Sequence, residues 1–329
     1  MKRNDMVIHK ESRPLLARSG NDEHLISVPD PMVRAPRVAA SQKMPSAILY
    51  SGKSIGCDAI VAVVSRDTDG VMLSAAQRLS HFPASSFICL SWHNNIAVGT
   101  IERQEKGISW KRFDESVLIS GSQSKPTVYW SLHGGRGGMV YFTISVAKAL
   151  FNIDVTAIQD RNVCARQLLG PTWFAMFDQL VESRDDATML EIINHHISSR
   201  WDSMHHASNP VQGLQYAGRR WVDRLISQAK LWQNSRSLRQ VQRSVKAMSG
   251  RSLREWQLLV STEKVFFETA QDDQKALNSL DWAALALEAG FSDQAHLSRT
   301  VKHITGFPPA EFARRFVEDE SFWIYRLWT

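Results

Sequence analysis

Cysteine is scarce. The 329 residues hold three, Cys57, Cys89 and Cys164, widely spaced and with no CxxC pair. That excludes a disulfide framework as the organising device and fits a reducing compartment. Long apolar runs are missing too. No stretch is long enough to cross a bilayer, and the opening MKRNDMVIHKESRPLLARSG has no apolar core of the signal-peptide kind. The expected location is the cytoplasm, with no membrane partner. Acidic residues fall short in one region only. The net charge is +6, yet between Arg219 and Arg315 there are 16 Lys or Arg against 10 Asp or Glu, while the other residues carry 23 of each. The whole cationic excess lies in the C-terminal third, which points to a polyanionic partner.

Recognisable catalytic and metal sets are also wanting. SGKS at 51–54 is not a phosphate loop, because GxxxxGK[ST] needs glycine where Ala47 stands. His195, His196, His205 and His206 have no cysteine or carboxylate cluster to complete a ligand set, so no metal and no cofactor are expected. Cys89 lies near His93, but its run, FICLSWHN, has the texture of a buried strand, where cysteine behaves as a small apolar residue. Gly134–Gly138, GGRGG, suggests a flexible chain reversal. No enzyme is expected. The rival is an enzyme with an unidentified site that the basic region merely holds on DNA.

What is present divides the chain. Residues 1–44 are polar, basic and interrupted by proline, and suggest a loose leader. From Ala47, AILYSG, AIVAVVS, FICLSWH, SVLISG, TVYWSLHGG and MVYFTIS are short β-branched or aromatic runs separated by turn residues. They predict an antiparallel sheet or barrel, cupin-like in outline. Helical patterns such as WFAMFDQLVE and TMLEIINHHISSRW follow. The apolar surplus of the helices between Cys164 and Trp201 suggests a homodimer. The fold class expected is α+β. A β-rich sensor or dimerisation domain with trailing helices spans 45–208, and an all-α domain spans 209–316. The tail, 317–329, is rich in aromatics, and so much apolar area is expected to pack back on the molecule.

The basic region contains a repeat. In GFSDQAHLSRTVKHITGFPP, residues 290–309, Leu297, Val301 and Ile304 share one helical stripe, with Arg299 and Lys302 on the outer half. Ser292 is the expected cap, Asp293 favours the first turn, and Gly306 with Pro308 and Pro309 stops the helix. Fifty-six residues earlier stand Val241, Val245, Met248, Arg243, Lys246 and Gly250, type for type. Glu311 and Phe312 likewise answer to Glu255 and Trp256. Upstream of the second copy, WAALALEAGF suggests a preceding helix with its turn at Gly290.

These residues identify a resemblance. Ala286, Gly290, Phe291, Ser292, Asp293, Gln294, His296, Leu297, Arg299, Lys302, Gly306, Phe307 and Pro309 match the second unit of the DNA-binding domain of AraC/XylS-type transcription regulators. Ser237, Arg239, Arg243, Lys246 and Gly250 match the first. The resemblance covers about a third of the chain. It departs at Asn234, which stands where the repeat predicts a turn glycine, and at Ala295, where relatives carry a larger polar residue. It implies two helix-turn-helix units joined by a long helix, about 253–269, with two recognition helices in successive major grooves of double-stranded promoter DNA. RNA polymerase is an implied partner if the protein is an activator.

Residue chemistry assigns the contacts. Arg239, Gln242 and Arg243 in the first unit, and Gln294, Ser298 and Arg299 in the second, are candidates for base edges; Lys246, His296 and Lys302 are candidates for phosphate. Arg299 has an alternative use, bracing the domain through a carboxylate. In the β-rich part, Trp92, His93, Trp110, Trp130 and His133 suggest a pocket for a small-molecule effector, against core packing as the plain alternative.

Overall fold

The computed structural model describes residues 16–17, 26–105, 107–204, 226–227, 229–231, 233, 235–249, 252–257 and 293–327. Its strands are β1 (Leu16–Ala17), β2 (Ile26–Ser27), β3 (Ser46–Ser51), β4 (Ala62–Asp67), β5 (Leu79–Phe82), β6 (Ile88–Asn94), β7 (Val98–Gln104), β8 (Gly107–Arg112), β9 (Val117–Ser120), β10 (Thr127–Ser131), β11 (Arg136–Phe142) and β12 (Asn162–Cys164). Two antiparallel sheets result, a four-stranded one in the order β5-β10-β7-β8 and a six-stranded one in the order β12-β9-β6-β11-β4-β3. β1 and β2 form a separate ribbon.

Alternation along the central strands decides the layers. On β6, Ile88, Leu90 and Trp92 join Val140 and Phe142 of β11 in one core. That core is completed by α2 (Ile144–Phe151), α4 (Phe174–Glu182), α5 (Asp186–Ile193) and α6 (Ser199–Met204), with α1 (Gly52–Ile55) and α3 (Ala165–Leu169) as short turns. Caps bound these helices: Thr143 starts α2, Asp185 starts α5, and Asn152 ends α2 at φ 52°. Met176, Phe177, Leu180, Met189, Ile193, Ile197 and Trp201 are buried against the sheet. The apolar surplus that suggested a dimer is therefore used within the chain.

The opposite face of the six-stranded sheet meets residues 307–327, whereas Val241, Val245 and Ile304 of the C-terminal part belong to the first core. α7 (Leu238–Ser249) and α8 (Gln294–Thr305) are followed by α9 (Pro309–Glu318), a 3-10 turn at Glu320–Phe322 and α10 (Trp323–Arg326). Phe312, Phe316, Phe322, Trp323, Ile324 and Tyr325 pack on Val61, Ala62, Val64, Met139 and Tyr141. The tail is thus an integral layer, and burying a side chain such as Phe322 contributes roughly 2–3 kcal/mol.

The N-terminal segment departs from its composition. Residues 28–38 are pinned, with Val28, Ala35 and Val38 buried. The Arg34 Nε donates to both carboxylate oxygens of Asp319 (2.8 and 3.1 Å) and its Nη2 to Glu318 (2.6 Å). Arg315, itself buried, donates to the carbonyls of Met32 (2.7 Å) and Val33 (3.1 Å) and pairs with Glu311 and Asp319. The loose leader expected for 1–44 therefore fails for this part: partners nearly 300 residues away satisfy its polar groups, which composition does not reveal. The GGRGG expectation also needs correction. Arg136–Gly138 lie in β11, and a Cβ on Gly138 would fall 2.2 Å from the Trp92 ring, so glycine here admits an indole across the ladder.

Candidate functional site

Two places bring functional side chains together. The first is the pair α7 and α8. Ser237 and Gln240 form a reciprocal cap at the start of α7: Ser237 N donates to Gln240 Oε1 (2.9 Å) and Gln240 N to Ser237 Oγ (3.4 Å). At the start of α8, Asp293 is the cap, its Oδ1 accepting from His296 N at 2.6 Å. Asp293 takes the place expected for Ser292, which lies outside the described residues. Gly306 ends α8 at φ 87°, a left-handed conformation suited to glycine.

The sequence repeat is also a repeat of contacts. Val241 and Val245 are buried in α7 as Leu297, Val301 and Ile304 are in α8. Near the end of each helix a hydroxyl bonds back one turn, Ser249 Oγ to Val245 O (2.7 Å) and Thr305 Oγ1 to Val301 O (2.8 Å). The aromatic after each helix, Trp256 or Phe312, is buried. Arg239, Gln242, Arg243 and Lys246 on α7 are exposed, as are Gln294, Arg299 and Lys302 on α8; Ser298 and His296 are half-buried. Among the described residues Arg299 has no carboxylate partner, so the bracing alternative finds no support there. Residues 282–292, the turn position Asn234, the side chain of Met248, and the joining helix beyond Gln257 lie outside the described residues.

The second place is a cavity of about 170 Å³ between the two sheets. Strand alternation sorts its candidates. On β6, Cys89, Ser91 and His93 line it, whereas Trp92 points from the other face into the core beneath the helices. Adjacent residues of one regular strand do not share a face, so Trp92 and His93 belong to different surroundings. Trp130 lines the cavity and is braced by its Nε1 donating to Ala75 O (2.9 Å). Trp110 packs edge-on against Trp130 at 5.2 Å from behind, and His133 is an exposed loop residue; neither lines the cavity.

Other residues complete the lining. Tyr129, whose hydroxyl donates to Asn162 Oδ1 (3.1 Å), Tyr141, Phe82, Arg66 and Arg78 surround the space, and Trp323 of the tail closes it. Trp323 Nε1 donates to Ser80 Oγ (2.9 Å), and Arg66 lies 4.7 Å over the Trp323 ring while paired with Glu320 (2.8 Å). Period-two alternation would have separated His93 from Trp92; nothing local in the sequence marks Trp323 as a wall of this cavity.

The electrostatics are one-sided. Among the described residues no Asp, Glu or Lys lines the cavity. Burial pushes His93 down to about 4, so it is neutral near pH 7. Burial pushes the Cys89 thiol up to about 12, which keeps it protonated and a poor nucleophile. The Arg78 pKa is lowered by burial, yet a guanidinium stays charged under such conditions. No group of three His, Cys, Asp or Glu able to hold a metal ion occurs among the described residues, and no helix among them is long and apolar enough to span a membrane. His205 and His206 lie outside the described residues.

No family model and no curated protein matches the chain. Solved structures align only loosely. ToxT from Vibrio cholerae O395 gives a TM-score of 0.36 at 9% identity, over 83% of this chain and 98% of that one. Unsaturated fatty acid bound wild-type ToxT from V. cholerae strain SCE256 gives 0.33 at 10%, over 73% and 95%. ToxT from V. cholerae O395 bound to (E)-4-(8-methylnaphthalen-1-yl)but-3-enoic acid gives 0.34 at 8%, over 83% and 99%. Similarity this distant transfers no residue role.

Proposed function

We propose that the chain is a sequence-specific, DNA-binding transcription regulator whose β-rich region takes a small-molecule effector. One observation carries the proposal. Two helices 56 residues apart bury matching apolar stripes, repeat the same hydroxyl and aromatic contacts, and turn Arg239, Gln242, Arg243 and Lys246, or Gln294, Arg299 and Lys302, to solvent. An exposed cationic helix fits the major groove, where Arg and Gln read guanine and adenine by paired hydrogen bonds and Lys meets phosphate. The cationic excess of this region and its AraC/XylS-like residues support the same reading. On this reading one monomer engages two sub-sites without a second copy, and RNA polymerase is a partner if the protein is an activator.

The cavity supplies the control. Its Trp323 wall belongs to the tail that follows α9, and α8 meets the same β-rich region through Ile304 O, which accepts from Ala84 N at 2.8 Å. A ligand that shifts Trp323 moves the tail, which packs on α9 and so adjoins α8.

The test is footprinting and selection of bound sequences from a random pool. Arg299→Ala is expected to weaken binding and relax base preference, costing about 1–3 kcal/mol. Lys302→Ala is expected to weaken all sequences alike and reduce the salt slope. Full affinity and full discrimination after Arg299→Ala refute the assignment. Absence of binding to random DNA even at low salt would instead favour a protein-contacting adaptor, and an enzymatic turnover assigned to residues 45–208 would favour the DNA-held enzyme.

A further inference from the structure

The exposed side of α7 carries one large apolar residue. Leu238, the first residue of the helix, is 62% exposed, and among the described residues it joins none of the three apolar cores. Val241 and Val245 form the buried stripe of this helix, while exposed Gln242 stands one turn beyond Leu238 on the same side. The first turn has little else to offer a partner. Gln240 is committed to the cap, its Oε1 accepting from Ser237 N (2.9 Å) and from Ser237 Oγ (3.1 Å). Leu238 and Arg239 are the side chains left at this end.

The surroundings of Leu238 decide what covers it. Residues 235–249 hold Arg236, Arg239, Arg243 and Lys246 and no Asp or Glu. A surface so cationic is matched by a polyanion rather than by an apolar protein face. A recognition helix sets its N-terminal residues on base edges, and the apolar group displayed on the major-groove edges of the base pairs is the 5-methyl of thymine. We infer that Leu238 is a specificity-determining residue that reads one thymine through this methyl group, next to the base edge met by Gln242. The second module differs at this point: 56 residues on, Gln294 begins α8, and it is exposed and polar. The thymine requirement therefore belongs to one sub-site, and the two helices are not interchangeable on the duplex.

The inference rests on the DNA-binding reading proposed above and deepens it. Its test begins with duplexes selected from a random pool by the full unaltered chain. In a selected duplex each thymine is then replaced singly by deoxyuridine, which pairs with adenine in the same way and lacks only the 5-methyl group. Affinities are read by fluorescence anisotropy for the unaltered chain, Leu238→Ala, Arg243→Ala and Leu231→Ala. Leu231 is 63% exposed in the segment before α7 and serves as the matched leucine control.

One thymine is expected to stand out, its replacement weakening binding about fourfold, the effect of taking one methyl-sized group out of water. Leu238→Ala is expected to weaken binding to the parent duplex and to abolish the thymine-to-uracil difference at that position. Arg243→Ala is expected to weaken binding while keeping the difference, and Leu231→Ala to keep it as well. A duplex in which no thymine responds to uracil overturns the inference. So does a response that survives Leu238→Ala, or one lost equally in Leu231→Ala. If the pool yields no bound duplex at all, the DNA-binding reading itself falls, which is a separate result from a duplex that binds but ignores the methyl group.

Discussion

The stability of the molecule is expected to fall between pH 6.5 and pH 4, and His81 is the group that makes the effect calculable. His81 is 2% exposed. Its Nε2 donates to Pro31 O at 2.9 Å, and its ring stacks on Phe322 at 4.9 Å and meets Phe307 edge-on at 5.5 Å. Burial pushes its pKa from 6.5 down to about 4, and the nearby charge of Arg315 acts in the same direction. Above pH 6.5 the ring is neutral in both the folded and unfolded chain, so its packing contributes in full. Below that value the unfolded chain binds a proton that the folded one refuses, and stability drains away until about pH 4. At 1.36 kcal/mol per pKa unit the whole loss is about 3 kcal/mol, of which roughly 2 kcal/mol is gone by pH 5. Urea unfolding at pH 7.5 and pH 5.0 measures it through the shift in midpoint. His93, also pushed to about 4 by burial, adds a loss of the same sign, and His196 is lowered too. His81→Phe keeps the aromatic contacts but binds no proton. Its loss of stability from pH 7.5 to pH 5.0 is expected to be smaller than that of the unaltered chain by roughly 2 kcal/mol. Identical losses for the two proteins would refute the reasoning.

Further outcomes follow from the same contacts. Phe322→Ala removes a fully buried ring set among His81, Phe307, Phe312 and Tyr325, and is expected to cost about 3–5 kcal/mol in urea unfolding. Asp319→Ala strips Arg315 of one of its two carboxylates and Arg34 of its two-oxygen partner; a loss of about 3–5 kcal/mol and faster proteolysis within residues 28–44 are expected. Gly138→Ala drives a methyl group into the Trp92 ring and is expected to cost at least about 1–3 kcal/mol, with a changed near-ultraviolet circular dichroism signal. Arg299→Ala, by contrast, alters an exposed residue and is expected to change stability by less than about 0.5 kcal/mol, so that its effect on DNA is separable from folding.

How legible these features were depended on how local their causes are. The stripe Leu297, Val301 and Ile304, the stop at Gly306 and the duplicate at Val241 and Val245 follow from helical periodicity and from the conformational freedom of glycine, both written within a dozen residues. The strands around the cavity were visible for the same reason, as alternating or β-branched runs. The cap was misassigned by one residue because Ser292 and Asp293 are both good caps, and only the backbone at Asp293, φ −165° and ψ 168°, decides between them. The cavity was legible as a likelihood of aromatic walls in the β-rich region but not as a set of residues. Composition treats Trp92 and His93 as neighbours, whereas the pleat sends them to opposite faces.

The sequence by itself determined the α+β division, the cationic excess of the last third and the duplicated amphipathic helix, because periodicity and charge are properties of short stretches. Only the tertiary structure decided that residues 28–38 are held by Glu318, Asp319 and Arg315 and that Trp323 closes a cavity built from two sheets. Those pairings join residues hundreds of positions apart. No local preference encodes them; each buried charge or polar group must find its partner wherever the fold brings one, whatever the separation in sequence.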